Sequence, residues 1–149
     1  MSNKIKLEDL WPIIDEVISS DGEFSLTPYG ISMLPLLEPG KCNVILVKPN
    51  EIKKGDIVLF VRPSGQFVLH RAICVKKDYI NFCGDNEKAI EFKVPKASVR
   101  AVVKDIYVNG EKVDTNSEEH QKYLKGIYRK IRRYRLPVFL SKIKHKIFK

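Results

Sequence analysis

Gln66-Phe67-Val68-Leu69-His70-Arg71-Ala72-Ile73-Cys74-Val75 decides the fold class. The run is rich in β-branched and aromatic residues, the composition of a strand whose side chains alternate between two faces. Outward from it, the same texture recurs at residues 23–27, 42–48, 56–62, 79–83 and 99–108. Turn signals separate these runs: Glu38-Pro39-Gly40, Pro49-Asn50, Lys54-Gly55-Asp56, Pro63-Ser64-Gly65 and Asn109-Gly110. Many short strands with no helices between them predict a mainly β domain over residues 23–114, antiparallel and partly barrel-like.

Upstream, Leu7, Leu10, Trp11, Ile14, Val17 and Ile18 recur at helical spacing and Gly22 supplies a stop, so residues 1–22 read as a short N-terminal helix. Pro12 is best tolerated in a first turn, which sets the expected start near Asp9. Downstream, Thr115 and Glu118 have the spacing of a capping box. Leu124, Ile127, Tyr128 and Ile131 then mark one helical face, Pro137 interrupts, and Val138, Phe139, Leu140, Ile143, Ile147 and Phe148 form a second apolar set. Residues 115–149 are therefore expected as a tail of two short basic amphipathic helices kinked at the proline.

The chain has 149 residues and an apolar fraction of 44%, enough for one domain with a real core and an appendage. Its net charge of +9 is unevenly placed. All 18 acidic residues lie at or before Glu119, so residues 1–120 carry a net charge of −2, while residues 121–149 carry 11 basic residues and no acid. Cys42, Cys74 and Cys83 are odd in number, lack C-x-x-C spacing and sit in apolar runs, which favours small buried hydrophobes in a reducing compartment over disulfides or a zinc site with His70. No cofactor is expected. The N-terminus turns acidic too soon for a signal peptide, and no run reaches the roughly 18 apolar residues of a spanning helix. The expected location is the cytoplasm, peripheral at the inner face of the membrane.

Chemistry concentrates on Tyr29-Gly30-Ile31-Ser32-Met33-Leu34-Pro35, a small-residue turn that delivers one serine. A serine hydroxyl needs a base to become a nucleophile. His70, mounted on the strand quoted above, is the candidate base. Asp85, in the turn Gly84-Asp85-Asn86, is the candidate for orienting the imidazole, although such an aspartate also braces its own turn.

Ser32-Met33-x-Pro35, Gly55-Asp56-Ile57-Val58-Leu59-Phe60, Val68-Leu69-His70-Arg71 and Gly84-Asp85-Asn86 follow one another in the order and approximate spacing of the motif boxes of type I signal peptidases and the SOS-repressor-type serine peptidases. The chain resembles that superfamily over residues 29–86. Where the housekeeping bacterial enzymes carry lysine, this chain has His70, which is similar to the Ser-His branch. The resemblance implies a Ser32–His70 dyad and a second acid soon after the Gly-Asp-Asn box, a place that Glu91 fills. It leaves Asp56 and Arg71 as structural members of their boxes. Gly30 stands where many members have a serine that helps the oxyanion hole, so the hole is expected from the backbone N–H groups of Ser32 and Met33. Leu36 replaces a common threonine.

Together these readings predict a serine endopeptidase that cuts a leader or signal-like segment from a precursor peptide, with the substrate entering as an extended strand. The rival is a non-catalytic binding module whose basic tail engages an anionic membrane surface or nucleic acid. Since the body is nearly neutral, the membrane surface ranks above nucleic acid.

Overall fold

The computed structural model describes residues 6–147, with side chains up to Tyr134. The chain divides into two compact units, Met1–Val113 and Asp114–Lys149.

The first unit opens with α1 (Leu7–Ser19). The helix begins two residues before the expected Asp9, with Lys6 at its N-cap, so Pro12 lies beyond the first turn. Proline there removes one helical hydrogen bond. The helix accepts this because Ile14 and Ile18 are fully buried on its inner face, and burial of that face outweighs a single lost bond.

Eight strands follow: β1 (Phe24–Leu26), β2 (Cys42–Val47), β3 (Ile57–Val61), β4 (Phe67–Val75), β5 (Tyr79–Cys83), β6 (Glu91–Pro95), β7 (Val99–Val108) and β8 (Glu111–Lys112). They form one antiparallel sheet in the order β1-β2-β7-β3-β4-β5-β6, with β8 paired to β7. The sheet is mainly antiparallel β as the sequence predicts, but it does not close. β1 and β6 are its two edges, so the barrel-like expectation holds only loosely. Register shifts in four of the strand pairings bend the ladder without joining its ends.

β3 shows why the sheet has two covered faces. Its residues alternate between cores: Ile57 and Leu59 join Ile14, Ile18, Met33, Leu37, Val44 and Leu46 on the α1 side, while Val58 and Phe60 join Val68, Ala72, Ile80 and Phe82 on the other. A strand apolar at every position belongs in the middle of a sheet, and β3 is central. β6 and β8 carry no such pattern. Pro95 closes β6, which an edge strand tolerates. β8 is two residues long and exists because Asn109 and Gly110, both with positive φ, turn the chain back on β7.

The second unit contains α2 (Glu118–Ile147), one continuous helix where two were expected. Its backbone runs through Pro137, because a proline costs one hydrogen bond and a ring contact but does not oblige flanking helix formers to stop. The cap also differs from the predicted Thr115–Glu118 box. Ser117 caps the helix, its Oγ accepting from the His120 N–H at 3.1 Å, while the Thr115 carbonyl accepts from the Gln121 side chain at 2.8 Å. Among the described residues, no helix is long and apolar enough to cross a membrane.

Candidate active site

Three chain segments meet beside β1. The first is the Ser32 turn, which follows β1 and contains a cis Leu34–Pro35 peptide. The second is β4, which carries His70 opposite Val58 of β3. The third is the Gly84-Asp85-Asn86 turn at the end of β5.

The third segment ties the other two together. Asn86 donates its backbone N–H to the Ser32 carbonyl at 2.9 Å and its side-chain amide to the Ile31 carbonyl at 3.1 Å. The Asp85 N–H donates to Met33 Sδ at 3.4 Å. Both Asp85 carboxylate oxygens accept from Arg71, Oδ1 from Nε and Oδ2 from Nη2, each at 2.7 Å, and Arg71 Nη1 donates to the Gly55 carbonyl at 2.7 Å. Arg71 and Asp85 are both 2% exposed. Of the two roles open to Asp85, this is the geometry of the brace. It fixes the serine turn against β4 through a buried bidentate ion pair, and its carboxylate is turned on Arg71 and not on the histidine. Asp56 is also a turn former, accepting the Lys53 N–H at 2.8 Å.

His70 is 5% exposed and packs edge-on against Phe60, with ring centroids 6.1 Å apart. Its Nδ1 is buried and has no hydrogen-bond partner among the described residues. Glu91 Oε1 lies 3.7 Å from that nitrogen. Glu91 thus occupies the place, beside Nδ1, that the sequence offered first to Asp85. It is held there by Arg62 of the β3–β4 turn, whose Nε donates to the two carboxylate oxygens at 3.1 and 3.3 Å and whose Nη2 pairs with Oε1. Arg62 Nη1 donates to Gln66 Oε1 at 2.8 Å, closing the chain of contacts back onto the start of β4.

Nε2 of His70 faces the other way. The point where a Cβ on Gly84 would stand lies 3.2 Å from His70 Nε2, 2.6 Å from the Ser32 carbonyl oxygen and 2.7 Å from Glu87 Cγ. Any side chain there would collide with the backbone of the serine turn, so glycine is required and the gap it leaves brings Ser32, His70 and Glu87 together. Ser32 Oγ makes no hydrogen bond among the described residues.

Burial pushes the His70 pKa below its ordinary value. Glu91 and, less strongly, Glu87 and Asp85 pull it back up, while Arg62 adds to the depression. The ring is therefore neutral near pH 7, the state in which Nε2 accepts a proton. Pairing with Glu91 raises the Arg62 pKa further, so that guanidinium stays charged.

The site opens into a cleft of about 930 Å³. One wall is apolar, built from Leu7 and Leu10 of α1, Phe24 and Leu26 of β1, and Phe67 and Leu69 of β4. Ser32, Arg62, His70, Glu87 and Glu91 supply the polar side. β1 pairs with β2 along one edge, and among the described residues its other edge has no partner strand. Ser32, His70 and Glu91 thus come together around one cleft, and Asp85 stands one layer behind them. Arg62 and Glu87 were not among the residues singled out from sequence. Their only signal is Glu87's position two residues after Asp85, within the same turn.

Comparison with known protein families finds no match for this chain, and comparison with curated proteins finds none either.

Proposed function

We propose that the protein is a serine endopeptidase of the signal peptidase type that cuts a leader or signal-like segment from a precursor peptide. The observation that carries this reading is the gap at Gly84, which the Ser32 carbonyl and His70 Nε2 both border, beside a cleft that Ser32 and His70 line. A histidine kept neutral by burial, with one nitrogen close to the backbone of the serine turn and the other near a carboxylate, fits a general base.

In the proposed reaction, Nε2 takes the Ser32 hydroxyl proton as Oγ attacks the peptide carbonyl carbon. The backbone N–H groups of Ser32 and Met33 stabilise the oxyanion. The imidazolium then gives its proton to the leaving amine nitrogen, and a water molecule, activated by the same nitrogen, hydrolyses the acyl-enzyme. Glu91, not Asp85, stabilises the imidazolium from the Nδ1 side, and Asp85 holds the turn on which Ser32 sits. The substrate lies extended along the open edge of β1, its backbone continuing the sheet and its side chains meeting the apolar wall.

A peripheral location at the cytoplasmic face of a membrane completes the proposal. Lys122, Lys125, Arg129, Arg132 and Arg133 are exposed and recur at three- and four-residue spacing, which places them on one side of α2. Such a stripe suits an anionic surface. Cys42, Cys74 and Cys83 form no disulfide among the described residues, as a reducing compartment favours.

The direct test is to incubate wild type and Ser32→Ala with a panel of extended leader-like peptides and follow fragments by mass spectrometry. Cleavage by wild type alone is expected. Equal cleavage by both proteins would reject Ser32 as the nucleophile.

A further inference from the structure

Glu87 is the charged group of the cleft that the proposed chemistry leaves unused. Its Cγ borders the Gly84 gap together with the Ser32 carbonyl and His70 Nε2, and its side chain is partly exposed on the cleft wall. The carboxylate makes no hydrogen bond and no ion pair among the described residues. The other two charges in the cleft, Arg62 and Glu91, are spent on each other. The Glu87 charge reaches Arg62 only through space, and Arg62 already binds Glu91, so this carboxylate remains open to a cation in a cleft with one apolar wall. A carboxylate without a hydrogen-bond partner on a cleft wall can form a charge-assisted hydrogen bond with an arriving cation.

We propose that Glu87 is a specificity-determining residue that binds a cationic side chain, lysine or arginine, of a peptide substrate next to the bond that is cut. The inference deepens the peptidase reading and rests on it. It sets a substrate class: an extended, mostly apolar segment with a basic residue at the cleavage site. The lysine or arginine stem lies along the apolar wall while its charged head meets the carboxylate, a division of labour that suits long basic side chains.

The test uses the full chain and a set of otherwise apolar extended peptides in which one lysine, norleucine or glutamate is walked through every position. Wild type should cut the best lysine peptide about tenfold faster in kcat/KM than its norleucine counterpart, the order expected for one charge-assisted hydrogen bond. Glu87→Gln should bring that ratio close to one, and Glu87→Lys should shift the preference to the glutamate peptide. A wild type that cuts lysine and norleucine peptides alike would overturn the proposal. So would a Glu87→Gln enzyme that keeps the lysine preference, or one that slows equally on every peptide, since Glu87 would then act through His70 and not on the substrate. A binding arm separates this inference from the reading beneath it. Ser32→Ala should bind the lysine peptide about tenfold more tightly than the norleucine peptide, and the difference should vanish in Ser32→Ala/Glu87→Gln. Selective binding without any Ser32-dependent cleavage by wild type would reject the peptidase reading and leave the cation site standing. Cleavage without selectivity would do the reverse, and the absence of both would overturn both.

Discussion

His70 and Arg71 are neighbours on one strand and therefore point to opposite faces, and each meets an acid. Their surroundings differ in kind. Arg71 and Asp85 are fully buried, joined by two bonds of 2.7 Å, and further tied to the Gly55 carbonyl. His70 is almost as buried, yet its Nδ1 lies 3.7 Å from Glu91 without a hydrogen bond, and Nε2 faces a gap beside Ser32. One pair is saturated and the other is not. A saturated buried pair holds structure, because nothing remains in it to react. An unsaturated one, close to the serine turn and lining a cleft, keeps a proton acceptor available, as the proposed base requires.

Substitution should separate the two pairs cleanly. His70→Gln should lower kcat/KM by about 10⁴-fold or more while moving the urea midpoint little, since it removes the base but keeps most of the buried volume. Asp85→Ala should do the opposite first: it strands the Arg71 charge in the interior and should cost about 3–5 kcal/mol of stability in urea unfolding. A stable Asp85→Ala protein that is inactive would move Asp85 from brace to catalyst and erase the contrast.

A smaller effect sharpens the His70 side. Burial and Arg62 both hold the His70 pKa down, while Glu91 pulls it up. In the proposed reaction the active form is the neutral ring, so activity should fall with decreasing pH along a limb set below the ordinary histidine value of about 6.5. Removing Arg62 takes away a depressing charge and frees Glu91 to approach, so Arg62→Gln should move the limb to higher pH. Glu91→Gln should move it lower and slow the reaction by about 10- to 100-fold, through loss of the charge that steadies the imidazolium. The stability linkage has a definite sign. Because the folded value lies below the unfolded one, the contribution of His70 is intact above about pH 6.5 and is lost as pH falls through the folded value. A limb that stays in place in both variants would show that Arg62 and Glu91 do not reach the base.

The smallest expected effect concerns the other unit. Deleting residues 121–149 should abolish cosedimentation with anionic vesicles, wild-type binding should weaken with salt, and cleavage of a soluble peptide should change by less than about twofold. Binding to neutral vesicles as strong as to anionic ones would remove the electrostatic role of α2, and retention on nucleic acid in place of vesicles would reassign it.

The strands were legible where side chains alternate or run apolar without a break. β5 and β7 have the bounds that their residues predict, and β3 shows its central place in every residue from Ile57 to Phe60. β6 was not legible, because Glu91-Phe92-Lys93-Val94-Pro95 has neither pattern and forms a strand only by leaning on β5. In the site, Ser32, His70 and Glu91 could be named because turn chemistry and motif spacing are local properties. The partner of each acid could not be. Asp85 to Arg71 spans 14 residues and Glu91 to Arg62 spans 29, so these pairings are decided by the register of β3, β4 and β5 and not by any neighbour in sequence. The tail misled for a related reason: Pro137 looks like a break in sequence, but the backbone of α2 continues through it.

The central claim is that Ser32 is a nucleophile activated by His70, and a serine-directed fluorophosphonate tests it without knowledge of the natural substrate. Intact-mass analysis of the labelled protein should show one adduct, mapped to Ser32 by peptide fragmentation, absent in Ser32→Ala and formed at least about 100-fold more slowly in His70→Ala. An adduct elsewhere, or labelling of Ser32 at the same rate with and without His70, would contradict the account.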